Sequence, residues 1–186
     1  MKKQESYTLS GESRIEYYDI AFIGDAYVGK TTLLTDNISL KYNPTEGVNC
    51  ITELPVKYCG ALKKNIYDIS GCSDFIYVRE RYLKNMDIYV MVFDLTNMYS
   101  YSNIFEWYNN CKSDIENENS KYLLVGNKCD KIRIVPENII KTFCERNKIN
   151  YIETSATQKI NVIELFTMID NIIVNSIKKK KCCICM

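Results

Sequence analysis

Eight consecutive residues, Gly24-Asp25-Ala26-Tyr27-Val28-Gly29-Lys30-Thr31, restrict this chain more than any other feature of it. They read G-x-x-x-x-G-K-T. Upstream, Asp19-Ile20-Ala21-Phe22-Ile23 is a short, mostly apolar run ending at a glycine, as a buried parallel strand does. Downstream, Thr32-Leu33-Leu34 opens a segment of helical composition. Strand, glycine loop and helix start are the context in which the pattern carries meaning. Successive N–H groups of such a loop form a concave anion nest, and the helix N-terminus adds partial positive charge. Lys30 would bring a mobile ammonium to terminal phosphates, and the Thr31 hydroxyl would serve as a ligand for Mg²⁺. The motif implies a phosphate site and names no base.

With 186 residues, 46% of them apolar, the chain has enough material for one domain with a full core. A net charge of +1 gives no bias toward nucleic acid, and no nucleic-acid partner is expected. Histidine is absent, which removes imidazole bases and zinc–imidazole sites. Of nine cysteines, three fall in the final stretch, and Cys50, Cys59, Cys72, Cys111, Cys129 and Cys144 show no paired spacing. Met1-Lys2-Lys3-Gln4-Glu5 leads into no apolar h-region, and Lys2 excludes N-myristoylation. Ile88 to Phe93, the longest apolar run, is too short to span a bilayer. The expectation is a soluble cytosolic domain with reduced thiols.

Residues 1–14 are polar and expected to be a loose arm, followed by a nucleotide domain over 15–177 and a basic tail over 178–186. A strand is expected from about Tyr17 to Ile23, then a helix from Thr31 to near Leu40, which Pro44 stops. Val48 to Tyr58 and Ala61 to Asp68 read as two strands joined across Cys59-Gly60, a connection short enough to require antiparallel pairing. Ile88-Tyr89-Val90-Met91-Val92-Phe93-Asp94 lacks alternation and so reads as a central parallel strand. Tyr122 to Val125 and Asn150 to Glu153 are two more. Helical patterns cover Ser102 to about Glu116, Pro136 to Asn147 and Asn161 to Lys179. In the last, Val162, Leu165, Phe166, Ile169, Ile172 and Ile173 fall at i, i+3, i+4 spacing, and Asn161 with Glu164 resembles a capping box. Strands alternating with helices after one early hairpin predict an α/β fold. It has a six-stranded, mostly parallel sheet with one antiparallel strand, and about five helices on both faces. Ligands of such sheets bind at the carboxyl ends of the strands.

Two further motifs fall at those ends. Gly126-Asn127-Lys128-Cys129-Asp130 directly follows the strand at Tyr122–Val125. The Asp130 carboxylate there could accept from both the ring N–H and the 2-amino group of guanine. Adenine lacks that donor pair, and a half-paired carboxylate would cost roughly 1–3 kcal/mol. Glu153-Thr154-Ser155-Ala156 follows the last strand. Each motif alone is weak, but three in order, each just after a strand, make a strong conjunction.

On these residues the chain resembles the Ras superfamily of small GTPases, P-loop NTPases, and within it the Rab branch, over about residues 17–186. The resemblance implies GTP or GDP with Mg²⁺, held by the loop Gly24–Thr31 with Thr32, by Asn127, Lys128 and Asp130, and by Ser155, Ala156 and Thr157. It implies that Ala156 offers its backbone N–H to the guanine carbonyl. Asp68-Ile69-Ser70-Gly71 stands where the family has D-T-A-G, so Asp68 would hold Mg²⁺ through a water and Gly71 would give its N–H to the γ-phosphate. Thr45, in Pro44-Thr45-Glu46-Gly47-Val48, matches the threonine that ligates Mg²⁺ only in the triphosphate state, and Tyr42 matches a tyrosine that lids the phosphates. The implied mechanism is a switch, with two loops ordered by GTP and relaxed by GDP. Effectors reading those loops, an exchange factor, a GTPase-activating protein and a GDP-dissociation inhibitor are the implied partners.

The pattern is broken at several places. Cys72 stands where the family carries the glutamine that orients the attacking water; a thiol is short and hydrogen-bonds weakly. Among the residues of the catalytic step (Lys30, Gly71 and this position), the departure predicts slow intrinsic hydrolysis. Activating proteins that supply a glutamine in trans would make it tolerable. A redox role for Cys72 is the less favoured reading. Ala26 and Tyr27 replace loop glycines, and Tyr27 either stands over the nucleotide or points to solvent. Thr157 replaces a lysine whose stem packs on guanine. The segment between Thr31 and Thr45 is about four residues shorter than in relatives.

Lys178-Lys179-Lys180-Lys181-Cys182-Cys183-Ile184-Cys185-Met186 reads as a prenylation signal, through Cys182 and Cys183 together or through Cys183 in a C-a-a-X pattern. A frayed helix end or a metal-binding Cys182-x-x-Cys185 is the alternative. Lipid with four lysines would anchor the chain at an anionic leaflet. The expectation is therefore a Rab-like switch on the cytoplasmic face of an intracellular membrane, cycling with the cytosol and regulating vesicle traffic. Its rivals are a GTP-binding recruitment module that scarcely hydrolyses and a scaffold without nucleotide. A P-loop kinase would leave Asn127–Asp130 without purpose.

Overall fold

The computed structural model describes residues 16–38, 47–56, 59–72, 81–113 and 120–184. The expected positions Tyr42 and Thr45 lie outside them. Six strands, β1 (Glu16–Ile23), β2 (Val48–Val56), β3 (Cys59–Ile69), β4 (Ile88–Asp94), β5 (Lys121–Asn127) and β6 (Asn150–Glu153), form one sheet in the order β2-β3-β1-β4-β5-β6. All neighbours are parallel except β2 and β3, whose short connection forces antiparallel pairing, Val48 opposite Ile69 and Val56 opposite Cys59. Pro55, which lacks an N–H, is placed on the edge strand β2 beside a register shift, where proline is tolerated.

Strand residues alternate between two cores, as a pleat of period two requires. Ile20, Phe22, Val90, Val92, Leu123 and Val125 face one layer, with Leu33 and Leu34 of α1 (Lys30–Ile38). Ala21, Ile23, Met91, Phe93 and Leu124 face the other, with Tyr101 of α2 (Met98–Ser102), Ile104, Trp107 and Cys111 of α3 (Ile104–Ser113), and Ile140 and Phe143 of α4 (Glu137–Asn147). Every residue of β4 is buried, which explains the missing alternation in its sequence. The first layer is closed by α5 (Val162–Ile184), which sets Val162, Leu165, Ile169 and Ile173 on the sheet and stacks Phe166 against Phe22. Beneath α5 a buried ion pair, Lys64 Nζ to Asp170 Oδ1 at 2.5 Å, joins the helix to β3.

Three expectations change. The helix expected over Ser102 to Glu116 is the second of two: α2, which was not expected, precedes α3, with Asn103 between them. The first starts at an Asn97 cap, whose side chain accepts from the N–H groups of Tyr99 and Ser100. Asn161, expected to cap α5, lies at φ 55° and not in the extended backbone of an N-cap, and its amide nitrogen donates to the Glu153 carbonyl at 2.8 Å. Finally, α5 continues past Lys179 to Ile184.

Candidate functional site

The chain leaves β1 at the point where its two neighbours, β3 and β4, lead away in opposite directions, the usual position of a ligand crevice in an open sheet. Gly24–Gly29 crosses that point and delivers the chain into α1, whose first turn closes with Leu33 N–H on the Gly29 carbonyl. Lys30 is buried, and its ammonium donates to the carbonyls of Gly24 at 2.8 Å and Asp25 at 2.7 Å, so the loop curls around its own lysine. The Asp25 carboxylate faces away from the loop's interior, accepting from Trp107 Nε1 and Asn103 Nδ2 of the α2–α3 segment. Tyr27 adopts φ 64° and is 87% exposed, so its ring points to solvent.

Contact leaves no room for a side chain at Gly29 and Gly71. At Gly29 (φ 100°) a Cβ would lie 2.3 Å from Asn127 Nδ2. At Gly71 it would lie 2.2 Å from the backbone carbon of Asp25. Gly71 therefore presses its main chain directly against the loop. Ser70 holds this approach from the other side: its N–H donates to Gly47 O, and its hydroxyl accepts from Cys72 N–H at 3.3 Å.

Thr31 and Asp68 meet across the crevice, hydroxyl to carboxylate, at 2.6 Å, with Asp68 buried. Two hard oxygen donors side by side suit Mg²⁺, which takes one or two carboxylate or hydroxyl ligands and completes its shell with phosphate and water. No cluster of three or more Cys, Asp or Glu ligands exists among the described residues.

The base-side loops converge on Asn127, which is 1% exposed. Its Nδ2 donates to the Val28 carbonyl at 2.8 Å. Its Oδ1 accepts from Ala156 N–H at 3.1 Å and from the Thr154 hydroxyl at 3.2 Å. Backbone bonds from Cys129 N to Thr154 O and from Thr154 N to Gly126 O lock the same loops together. The Ala156 N–H, which the resemblance directs to a guanine carbonyl, is thus spent on Asn127 in this arrangement. Lys128, at φ 65°, donates its ammonium to the Tyr27 carbonyl at 2.9 Å and to Asp94 Oδ2 at 2.6 Å. Burial would raise the Asp94 carboxyl, but Lys128 and the Thr96 donors outweigh it and hold it below the ordinary 3.8.

Between these loops lies a cavity of about 260 Å³. From the phosphate loop it is walled by Ala26, Tyr27, Gly29, Lys30, Thr31 and Thr32, and from the end of β3 by Ser70, Gly71 and Cys72. The base side contributes Asn127, Lys128, Lys131, Ala156 and Thr157. Gly24, Asp25 and Val28 shape the loop without forming the wall. Asp130 is exposed outside it, and Ser155 is buried behind it, bonded to Thr157 and Gln158. Ser70 and Lys131 were not anticipated. Lys131 directly follows the N-K-x-D motif, and that adjacency was the available signal.

A protein-family model named Ras family matches residues 19–175. The chain belongs to the Ras family. Among curated proteins it is similar to Ras-related protein rab-11.1 of Caenorhabditis elegans, 32% identical over 178 residues, covering 90% of this chain and 84% of that one. Ras-related protein Rab11A of Lotus japonicus is 30% identical over 175 residues, covering 90% and 77%. Ras-related protein Rab-39A of mouse is 30% identical over 181 residues, covering 91% and 83%. This Ras-family chain is a Rab-like small GTPase, and its six-stranded sheet is the P-loop GTPase architecture. Ras-family GTPases in general bind GTP or GDP with Mg²⁺ and hydrolyse GTP.

Proposed function

We propose that this Rab-like chain is a membrane-associated GTP/GDP switch that hydrolyses GTP slowly and acts in vesicle traffic through effectors. The observation that carries the nucleotide reading is the junction at Asn127. One buried amide ties the phosphate loop to both base-side loops, so that a single ligand can span them. The phosphates would lie on the N–H groups of residues 26–31, with Lys30 turned from the loop carbonyls onto the terminal phosphate. Asp130 would read the guanine edge, helped by Lys128 and Thr157, and by Ala156 once its N–H turns from Asn127. Thr31 and Asp68 would hold Mg²⁺, with Thr45 joining in the triphosphate state. The metal, when bound, neutralises charge between the phosphates. Gly71 would donate its N–H to the γ-phosphate, its main chain already lying against the loop.

Cys72 lines the cavity where a water-orienting amide would stand, and its thiol supplies no comparable hydrogen bond. Turnover would then depend on a GTPase-activating protein. An exchange factor and a GDP-dissociation inhibitor complete the cycle. Lipid on Cys182 and Cys183, beside Lys178–Lys181, would hold the protein on the cytoplasmic face of an intracellular membrane. The three-part division at residues 14 and 177 belongs to the same reading. A second reading, a GTP-loaded recruitment module with almost no hydrolysis, is favoured by Cys72 and by the short segment between Thr31 and Thr45.

Nucleotide released from the purified protein should be GDP or GTP, and Lys30→Ala or Asp130→Ala should abolish its retention. Retention unchanged in both would overturn the site. In single-turnover GTP hydrolysis, Cys72→Gln should be faster than wild type; equal rates would remove the basis for slow turnover. Mass spectrometry of protein isolated from cells tests lipid on Cys182 and Cys183.

A further inference from the structure

Asp94, the last residue of β4, belongs to none of the three motifs, yet both its carboxylate oxygens and its backbone N–H are bonded. It is 7% exposed. Its Oδ1 accepts from the Thr96 N–H at 2.8 Å and the Thr96 hydroxyl at 2.7 Å, and its own N–H donates to Ser100 Oγ at 3.0 Å. With one oxygen and the backbone fixed, the remaining oxygen points one way, to the Lys128 ammonium at 2.6 Å. That ammonium reaches on to the Tyr27 carbonyl, and Lys128 lines the cavity.

We infer that Asp94 is a positioning residue for nucleotide retention, acting through Lys128. The carboxylate holds the ammonium against the phosphate loop, which lays the lysine stem along the cavity wall and keeps the base-side loop in register with Gly24–Thr31. Without Asp94, the ammonium keeps one neutral acceptor. The Lys128 side chain, 27% exposed, then gains more from water than from the Tyr27 carbonyl. A bound nucleotide would lose a wall and a loop-to-loop tether together. The inference rests on the nucleotide reading given above.

The test is the release rate of a fluorescent GDP analogue from the full chain. Asp94→Asn should accelerate release roughly ten- to a hundredfold, the factor that a lost charge-assisted hydrogen bond corresponds to. In a Lys128→Met background the same substitution should add less than about twofold, because the partner it works through is gone. Thr96→Val, which keeps the charge and loosens its aim, should accelerate release by about threefold; it provides the readout if Asp94→Asn does not fold. Equal acceleration by Asp94→Asn in both backgrounds would show a general structural effect and overturn the inference. So would wild-type release from Asp94→Asn, or from Thr96→Val where that variant is the readout. A wild type that binds no guanine nucleotide overturns the nucleotide reading and this inference with it. A wild type that holds GDP while the variants release it normally overturns the inference alone.

Discussion

The indole N–H of Trp107 donates to the Asp25 carboxylate at 2.9 Å, joining α3 to the phosphate loop across the second core layer. Trp107 is the chain's single tryptophan and is buried, so its emission reports on one place. Loading nucleotide-free protein with GDP should shift that emission as the loop tightens. The adjacent Asn103 bond to Asp25, at 2.7 Å, remains when Asp25 loses its indole partner. Trp107→Tyr should therefore cost about 1.5–3 kcal/mol, the value of one hydrogen bond to a charged acceptor, plus whatever packing the smaller ring loses. Urea unfolding measures it.

Tyr27 occupies left-handed backbone at φ 64° with its ring in solvent. A non-glycine residue there carries about 1–2 kcal/mol of strain, while glycine loses roughly 0.5–1 kcal/mol more chain entropy on folding. Tyr27→Gly should therefore stabilise the nucleotide-free protein by about 0.5–1 kcal/mol, read as a higher urea midpoint with an unchanged slope.

Lys64 and Asp170 are both 5% exposed and pair at 2.5 Å under α5. Removing the Asp170 carboxylate leaves the Lys64 ammonium in the core without that partner. Asp170→Ala should cost about 3–5 kcal/mol, and Lys64→Met combined with Asp170→Leu should recover most of that loss. Equilibrium denaturation of the two variants decides it.

The Asp94 carboxyl, held below 3.8 when folded, contributes stability that is fully present above the ordinary carboxylate range. That contribution is lost as pH falls through the depressed folded value. Acid titration from about pH 4 downward should therefore destabilise wild type more steeply than Asp94→Asn.

Much of the architecture was legible in the sequence because period and length decide it. Ile88–Asp94 and Asn150–Glu153 were bounded to the residue, the first because a strand buried on both faces cannot alternate. The short helix Met98–Ser102 was missed; the cap at Asn97 was the overlooked cue. At the site, G-x-x-x-x-G-K-T, N-K-x-D and D-x-x-G announced their places. The bonds from Lys128 to Asp94, from Asp25 to Trp107 and from Ala156 to Asn127 did not. Each joins residues at least 29 apart in the chain, and only the closed sheet brings them together.

The alternation along β1 has a consequence for how the protein comes apart. Ile20 and Phe22 belong to one layer and Ala21 and Ile23 to the other, and the loop that follows feeds α1 into the first while Asp25 grips α3 in the second. That loop is a hinge-pin common to both halves. A ligand seated on it should slow amide exchange in α1 and α3 together, and stripping the ligand should loosen both sides of the sheet at once.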